Sequence, residues 1–363
     1  MKMVLTGGGT GGHIFPLVSI ARKFKEIKND IDIYYLGPKD SFAQNAFRSE
    51  NISVITIPSG KIRRYFGIQP FFQNLIDIFI KIPFGIFRAY FLLKALKPDF
   101  IFSKGGYGSI PIIIAGKMLG IDIYLHESDS IAGTANKVTG VFAKKIFVSF
   151  PLNKVKGLPV KKLIFTGNPI RKELTEGNIE RAKKIFSISQ SKKPILLVLG
   201  GSQGSIRINS LILENLDYLL ENFEIIHQTG TVDYDRVVRS KNNKYHVYSF
   251  WDEQAMADAL ACSSLVIGRS GAGTISEIAA NGKPSILIPL PESAQNHQLN
   301  NATIYEQSGA CIVIEEKHLD TEMLVKSIEK IMDPSNIGQF CSSAKYFSKS
   351  DPAEKIAKEI LTK

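Results

Sequence analysis

The sequence predicts an α/β protein made of two Rossmann-like halves, each built on a parallel sheet, and three observations carry that expectation. Two glycine-rich turns of like construction each leave a short apolar strand, KMVLTGGGTGGHIFP at residues 2–16 and PILLVLGGSQGS at residues 194–205. Each turn opens its own run of alternating strand and helix signals. A chain of 363 residues is also long enough for two domains with separate cores. Glycine suits a phosphate-cradling turn because it reaches positive φ and lets an anion approach the backbone. The helix that follows offers free N–H groups and the positive end of its dipole. Two such turns suggest a ligand held between the halves.

In the first half, short apolar or aromatic runs predict strands at residues 3–5, 33–36, 54–57, 100–102, 123–125 and 145–148. Residues 15–26, with apolar positions near helical spacing, and residues 110–119 predict helices between them. In the second half, strands at 195–199, 224–228, 246–248, 265–267 and 285–288 alternate with helices near 207–222, 255–261 and 274–281. Gly and Pro in Thr166-Gly167-Asn168-Pro169 punctuate the change of pattern and divide the chain into domains 1–165 and 166–363.

Hydrophobic content of 44% and charged content of 22% are globular values, which excludes disordered and fibrous classes. Cys262, Cys311 and Cys341 show no metal spacing and read as reduced thiols of a cytosolic protein; no metal site is expected. The early apolar stretch runs straight into glycines, so no secretory signal is expected. Residues 1–165 hold 23 Lys and Arg against 10 Asp and Glu, whereas residues 166–363 hold 22 against 24. The basic half should face something anionic, and nucleic acid, an acidic membrane and a pyrophosphate all qualify by charge. Nucleic acid is disfavoured because no aromatic-and-basic strand motif accompanies the charge.

Gly7, Gly9 and Gly12 spell GxGxxG, which raises a dinucleotide dehydrogenase. That reading wants an acidic residue at the end of the next strand, where this chain has Gly37-Pro38, with Asp40 late. More informative is LVIGRSGAGTISEIAANGKP at residues 265–284. A strand runs into Arg269-Ser270-Gly271-Ala272-Gly273, and a helix predicted to begin near Thr274 carries Glu277 in its first turn. Its amides would favour a diphosphate and its carboxylate both hydroxyls of a ribose. The same carboxylate would equally serve as an ordinary helix cap.

GGGTGGHIFP, GGYGSIP, LHESDSIAGTAN, GNPIR, GGSQGS, FWDEQAMADAL, RSGAGTISEIAANGKPSILIPLP and HQLNNA follow one another over about 300 residues. This ordered set resembles the bacterial N-acetylglucosaminyltransferases that convert lipid I to lipid II in peptidoglycan synthesis. The resemblance implies a GT-B fold, two Rossmann-like domains facing across a cleft, with the last helix packing back on the first domain. It implies UDP-N-acetylglucosamine as donor, held mainly by the C-terminal domain, and no cofactor. The implied acceptor is lipid I, undecaprenyl-pyrophosphoryl-N-acetylmuramoyl-pentapeptide, met at the anionic cytoplasmic face of the cell membrane by a peripheral enzyme. The basic first half fits that division. A diacylglycerol glucosyltransferase or a nucleotide-sugar epimerase would keep the fold and the nucleotide site.

Carried over by the resemblance, Glu277 would hold the ribose and the segment Ala272, Gly273, Thr274, Ile275, Ser276 would meet the diphosphate and its surroundings, with Ser202 beside it. The Trp251 backbone would meet uracil, Arg171 the phosphates and Gln298 a sugar hydroxyl. Thr10, Gly11 and Gly12 would close over the donor from the first domain. Inverting transfer needs a base for the acceptor hydroxyl, and His13, at the head of the first helix, is the first candidate. Glu127 is the second. Where the family shows HEQN this chain has His126-Glu127-Ser128-Asp129. Aspartate accepts hydrogen bonds but cannot donate them as asparagine does, so Asp129 is a donor contact of altered chemistry and a third candidate base.

Residues 68–97 are rich in aromatics, but Asp77, Lys81, Pro83 and Arg88 interrupt them, so they fail as a membrane span. They predict two helices divided at Pro83 that dock on an anionic membrane through rings and flanking basic residues.

Overall fold

A computed structural model of the chain describes residues 1–8, 11–61, 63, 68–189, 193–201, 204–348 and 350–362. It divides into two compact units, residues 1–170 with 350–363, and residues 171–349. The first is built on β1 (Lys2–Thr6), β2 (Asp32–Gly37), β3 (Ser53–Thr56), β4 (Phe100–Ser103), β5 (Asp122–Glu127), β6 (Lys145–Val148) and β7 (Leu163–Phe165). These run parallel in the order β3-β2-β1-β4-β5-β6-β7. The second holds β8 (Ile195–Leu199), β9 (Glu224–Gln228), β10 (Tyr245–Tyr248), β11 (Leu265–Gly268), β12 (Ser285–Leu287) and β13 (Cys311–Val313), parallel in the order β10-β9-β8-β11-β12-β13. Both are doubly wound sheets. Their order reverses between β1 and β4 and between β8 and β11, so ligands are expected beyond the carboxyl ends of those strands.

Fully buried strands read as continuous apolar runs because both sheet faces are covered by helices. In the first unit, Met3, Leu5, Phe24, Tyr35 and Phe47 fill one face, and Val4, Ile101, Ile112 and Leu125 the other. Ala353, Ile356, Ala357 and Ile360 of the helix Pro352–Leu361 complete the first of these cores.

Four details differ from the sequence expectations. The division falls at 170/171 rather than 165/166, because Thr166 N–H and Gly167 N–H still donate to Val148 O and Ser19 Oγ donates to Ile170 O at 2.7 Å. The edge strands β7 and β13, three residues each, are too short for a periodicity to reveal. The helix expected over 207–222 is two, Ile206–Glu214 and Leu216–Asn222, broken where Asn215 leaves helical geometry at φ −111° and ψ 16°. Between the helices Ile68–Ile76 and Ile82–Leu96 lies a π-helical turn, Asp77–Lys81, with Pro83 in the first turn of the second helix. The buried Asp77 holds that turn, taking Lys61 N at 3.1 Å, Arg63 Nη1 at 2.8 Å and Lys81 Nζ at 2.6 Å.

Phe71, Phe72, Phe79, Phe84, Phe87 and Phe91 of this segment are exposed, Phe79 at 71% and Phe87 at 62%. Among the described residues no helix is long and apolar enough to cross a membrane.

Candidate functional site

Candidate residues lie at or beyond the carboxyl ends of the parallel strands in each unit, among them the switch-point strands β1 and β11. In the first, the turn after β1 is pinned from several sides. Tyr35 Oη donates to Gly7 O at 2.7 Å and Lys104 N to Thr6 O at 2.9 Å. Gly106, at φ +83°, lies so close that a Cβ there would sit 2.5 Å from Gly8 O; only glycine fits. Gly11 and Gly12 open the helix Gly11–Ile27, placing His13 in its first turn. Thr10 lies outside the described residues.

His13 is half-buried and faces Lys104 and Asp129. Burial, aided by the Lys104 charge and opposed by Asp129, brings the imidazole pKa down to about 4, so the ring is neutral at pH 7. Glu127 ends β5 and is committed to its own loop. Oε1 accepts from Asp129 N at 3.1 Å, and Oε2 from Gly133 N at 2.9 Å and Asn136 Nδ2 at 3.0 Å. Burial and the neighbouring Asp129 push its carboxyl pKa up, against Lys104. His126 is fully buried, its Nε2 on Gly167 O at 3.1 Å. Lys104, which the sequence reading passed over, is 3% exposed beneath this cluster and donates to Ser128 Oγ. A lysine closing an otherwise apolar strand at the switch point was the available signal.

In the second unit, β11 leads through Arg269-Ser270-Gly271 into the helix Ala272–Ala280. That helix starts two residues earlier than expected, so Glu277 lies in its second turn, and the first turn carries no acidic residue. The reading of Glu277 as an N-terminal cap is thereby removed. Gly271 caps without any side-chain hydrogen bond, leaving the amides of Ala272, Gly273 and Thr274 at the open end. A Cβ on Gly271 or Gly273 would meet nothing within 4 Å, so neither glycine is required by packing. Small residues there keep the amides approachable by an anion.

Arg171, Glu253 and Glu277 form one charged cluster. Arg171 Nη1 lies 3.3 Å from Glu253 Oε2. Burial, opposed by Arg171 and reinforced by Glu253, brings the Glu277 pKa up to about 7. Gln298 Oε1 accepts from Leu290 N at 3.1 Å, which leaves its NH₂ group as the part that would meet a sugar hydroxyl. Ile275 is buried with its N–H donating to Gly271 O at 3.0 Å, and Ser276 Oγ donates to Ala272 O at 2.7 Å, so both side chains and the Ile275 amide serve the helix. Trp251 is 7% exposed and packs against Phe186 and Tyr248, with ring centroids 5.3 and 5.7 Å away. Its indole is core. Ser202 lies outside the described residues; at Gly204, φ +81°, a Cβ would sit 2.2 Å from Thr229 O. The buried Arg269, also missed, donates to Ser205 Oγ at 2.8 Å and pairs with Glu316 at 2.6 Å.

Residues 3–148 match the glycosyltransferase family 28 N-terminal domain and residues 195–360 its C-terminal domain. The chain belongs to glycosyltransferase family 28. One curated relative, from Clostridium botulinum strain Langeland, is 36% identical over 337 residues, covering 93% of this chain and 92% of its own. Another, from Borrelia hermsii, is 35% identical over 363 residues, covering 99% and 96%. Both are named UDP-N-acetylglucosamine–N-acetylmuramyl-(pentapeptide) pyrophosphoryl-undecaprenol N-acetylglucosamine transferase. The crystal structure of Acinetobacter baumannii MurG has the same fold, with a TM-score of 0.75 at 24% identity, covering 100% of this chain and 99% of that one. Both family 28 halves are thus present, each on its own parallel sheet.

Proposed function

We infer that the chain is the inverting glycosyltransferase that moves N-acetylglucosamine from UDP-N-acetylglucosamine to undecaprenyl-pyrophosphoryl-N-acetylmuramoyl-pentapeptide, turning lipid I into lipid II in peptidoglycan synthesis. The observation that carries this is the pair of relatives bearing that activity in their names, each at least 35% identical over more than nine-tenths of the chain. In the second unit, the amides of Ala272, Gly273 and Thr274 take the donor diphosphate. Glu277 takes the ribose hydroxyls, Arg171 the phosphates, Gln298 the sugar and the Trp251 backbone the uracil. These groups stabilise the charge that grows on departing UDP. The first unit supplies the acceptor side, with His13 receiving the hydroxyl proton and Glu127 fixing the loop that carries Asp129. Incubation with UDP-N-acetylglucosamine and a lipid I analogue should yield the lipid-linked disaccharide. Glucose appearing on diacylglycerol instead would replace this reading with a glucolipid synthase.

The acceptor is a membrane lipid, and the exposed rings of residues 71–91 are the proposed docking surface on anionic lipid. Arg88, Lys94 and Lys97 stand exposed on the same helix or its cap. Lys81 is tied to Asp77, so the informative charge reversal spares it. Basic residues near an anionic leaflet contribute about 1 kcal/mol each, so Arg88→Glu with Lys94→Glu should weaken vesicle binding roughly thirtyfold or more. Co-sedimentation across anionic lipid content checks this; equal binding of parent and variant at every composition removes the segment as the docking site.

A further inference from the structure

Beneath His13 sits a group that no carried-over motif assigns. Lys104 follows β4, is 3% exposed, and its ammonium donates to Ser128 Oγ, which donates in turn to Asn168 Oδ1 at 2.9 Å. Every element around it presents a titratable or polar group. His13 comes from the helix Gly11–Ile27, His126 and Glu127 from β5, Ser128 and Asp129 from the loop beyond, and Asn168 from the segment after β7. With both imidazoles neutral, Lys104 supplies positive charge against two carboxylates. An unpaired buried ammonium would be costly, and so would two neighbouring carboxylates without a cation.

We propose that Lys104 is a positioning residue for the transfer, the counter-charge that accommodates Asp129 in place of the family's asparagine and holds Ser128-Asp129 beside His13. The proposal rests on the placement of the proton transfer at His13. Its electrostatics agree. Lys104 lowers the His13 pKa, the two carboxylates hold up a Lys104 pKa that burial brings down to about 8, and Lys104 opposes the rise at Glu127.

Removing the lysine charge should raise the pKa of His13 and Glu127 alike, and therefore move the acid limb of the kcat/KM profile to higher pH. The test is a double-mutant cycle with pH profiles. Lys104→Met is expected to lower kcat at pH 7 by tenfold or more in the parent and by less than about threefold in an Asp129→Asn background. Lys104→Gln, which can still donate to Ser128 and guards against misfolding of the apolar variant, should show the same alkaline shift. An equal loss in both backgrounds, or a Lys104→Gln profile that overlays the parent, would overturn the proposal. His13→Ala with full turnover would instead overturn the placement of the base and leave the Lys104–Asp129 coupling to be read separately.

Discussion

Replacing His13 with alanine is expected to lower turnover at saturating donor by about 10²–10⁴, with little change in donor affinity. The neutral imidazole faces Asp129 and Lys104 in the first turn of its helix, while Glu277, Arg171 and Gln298, proposed to hold the donor, belong to the other unit. Glu127→Ala should also reduce turnover, by a different route. Its carboxylate accepts from the Asp129 and Gly133 amides and from Asn136, so the loss should reach the order of the whole 128–136 loop. Hydrogen exchange at those amides would rise in Glu127→Ala and stay unchanged in His13→Ala. Asp129→Asn restores the family's residue and should cost least. Single-turnover kinetics of the three variants check the order. Full turnover in His13→Ala together with none in Asp129→Asn would give the base to the loop.

Glu277→Ala is expected to weaken UDP-N-acetylglucosamine binding ten- to a hundredfold, from about 1.5–3 kcal/mol lost with a charged hydrogen-bond partner. The carboxylate must be ionised to accept both ribose hydroxyls, and its pKa in the free protein is raised to about 7. Protons and ribose therefore compete for it. Affinity should fall as pH drops through 7, approaching tenfold per unit below it, and level off above. Calorimetry with the sugar nucleotide, whose diphosphate does not titrate near pH 7, reads this directly. Glu277→Gln should flatten the pH dependence, and parent-like affinity in Glu277→Ala would dismiss the ribose contact.

The glycine turns and apolar strands were legible because each signal is local. β1, β8 and β11 are short apolar runs that stop at glycine, and His13 and Glu277 follow such stops at helical spacing. Lys104 and Arg269 were passed over because a cation in a glycine-rich segment ordinarily reads as solvated; the apolar strand before Lys104 hinted otherwise, and the packing shows that both are buried. The start of the Ala272–Ala280 helix shifted because alanine and glycine fit a first turn or a loop equally in sequence. The uncapped end, with no side chain satisfying it, became visible only in three dimensions.

The helix Pro352–Leu361 belongs to the core of the first unit, although the whole of residues 171–349 is made before it. At a synthesis rate of about 5–20 residues per second, roughly 10–35 s separate the last residue of the first segment from the helix that closes its hydrophobic face. During that interval Phe24 and its neighbours lack the covering of Ile356 and Ile360. The growing chain would therefore carry an unfinished first unit until its second one has been translated. A polypeptide stalled anywhere in residues 171–349 would be marked by exposed apolar surface available to chaperones and proteases. Completion of the second unit and closure of the first become consecutive events of one synthesis, so a fragment ending before residue 350 cannot finish the first unit's core.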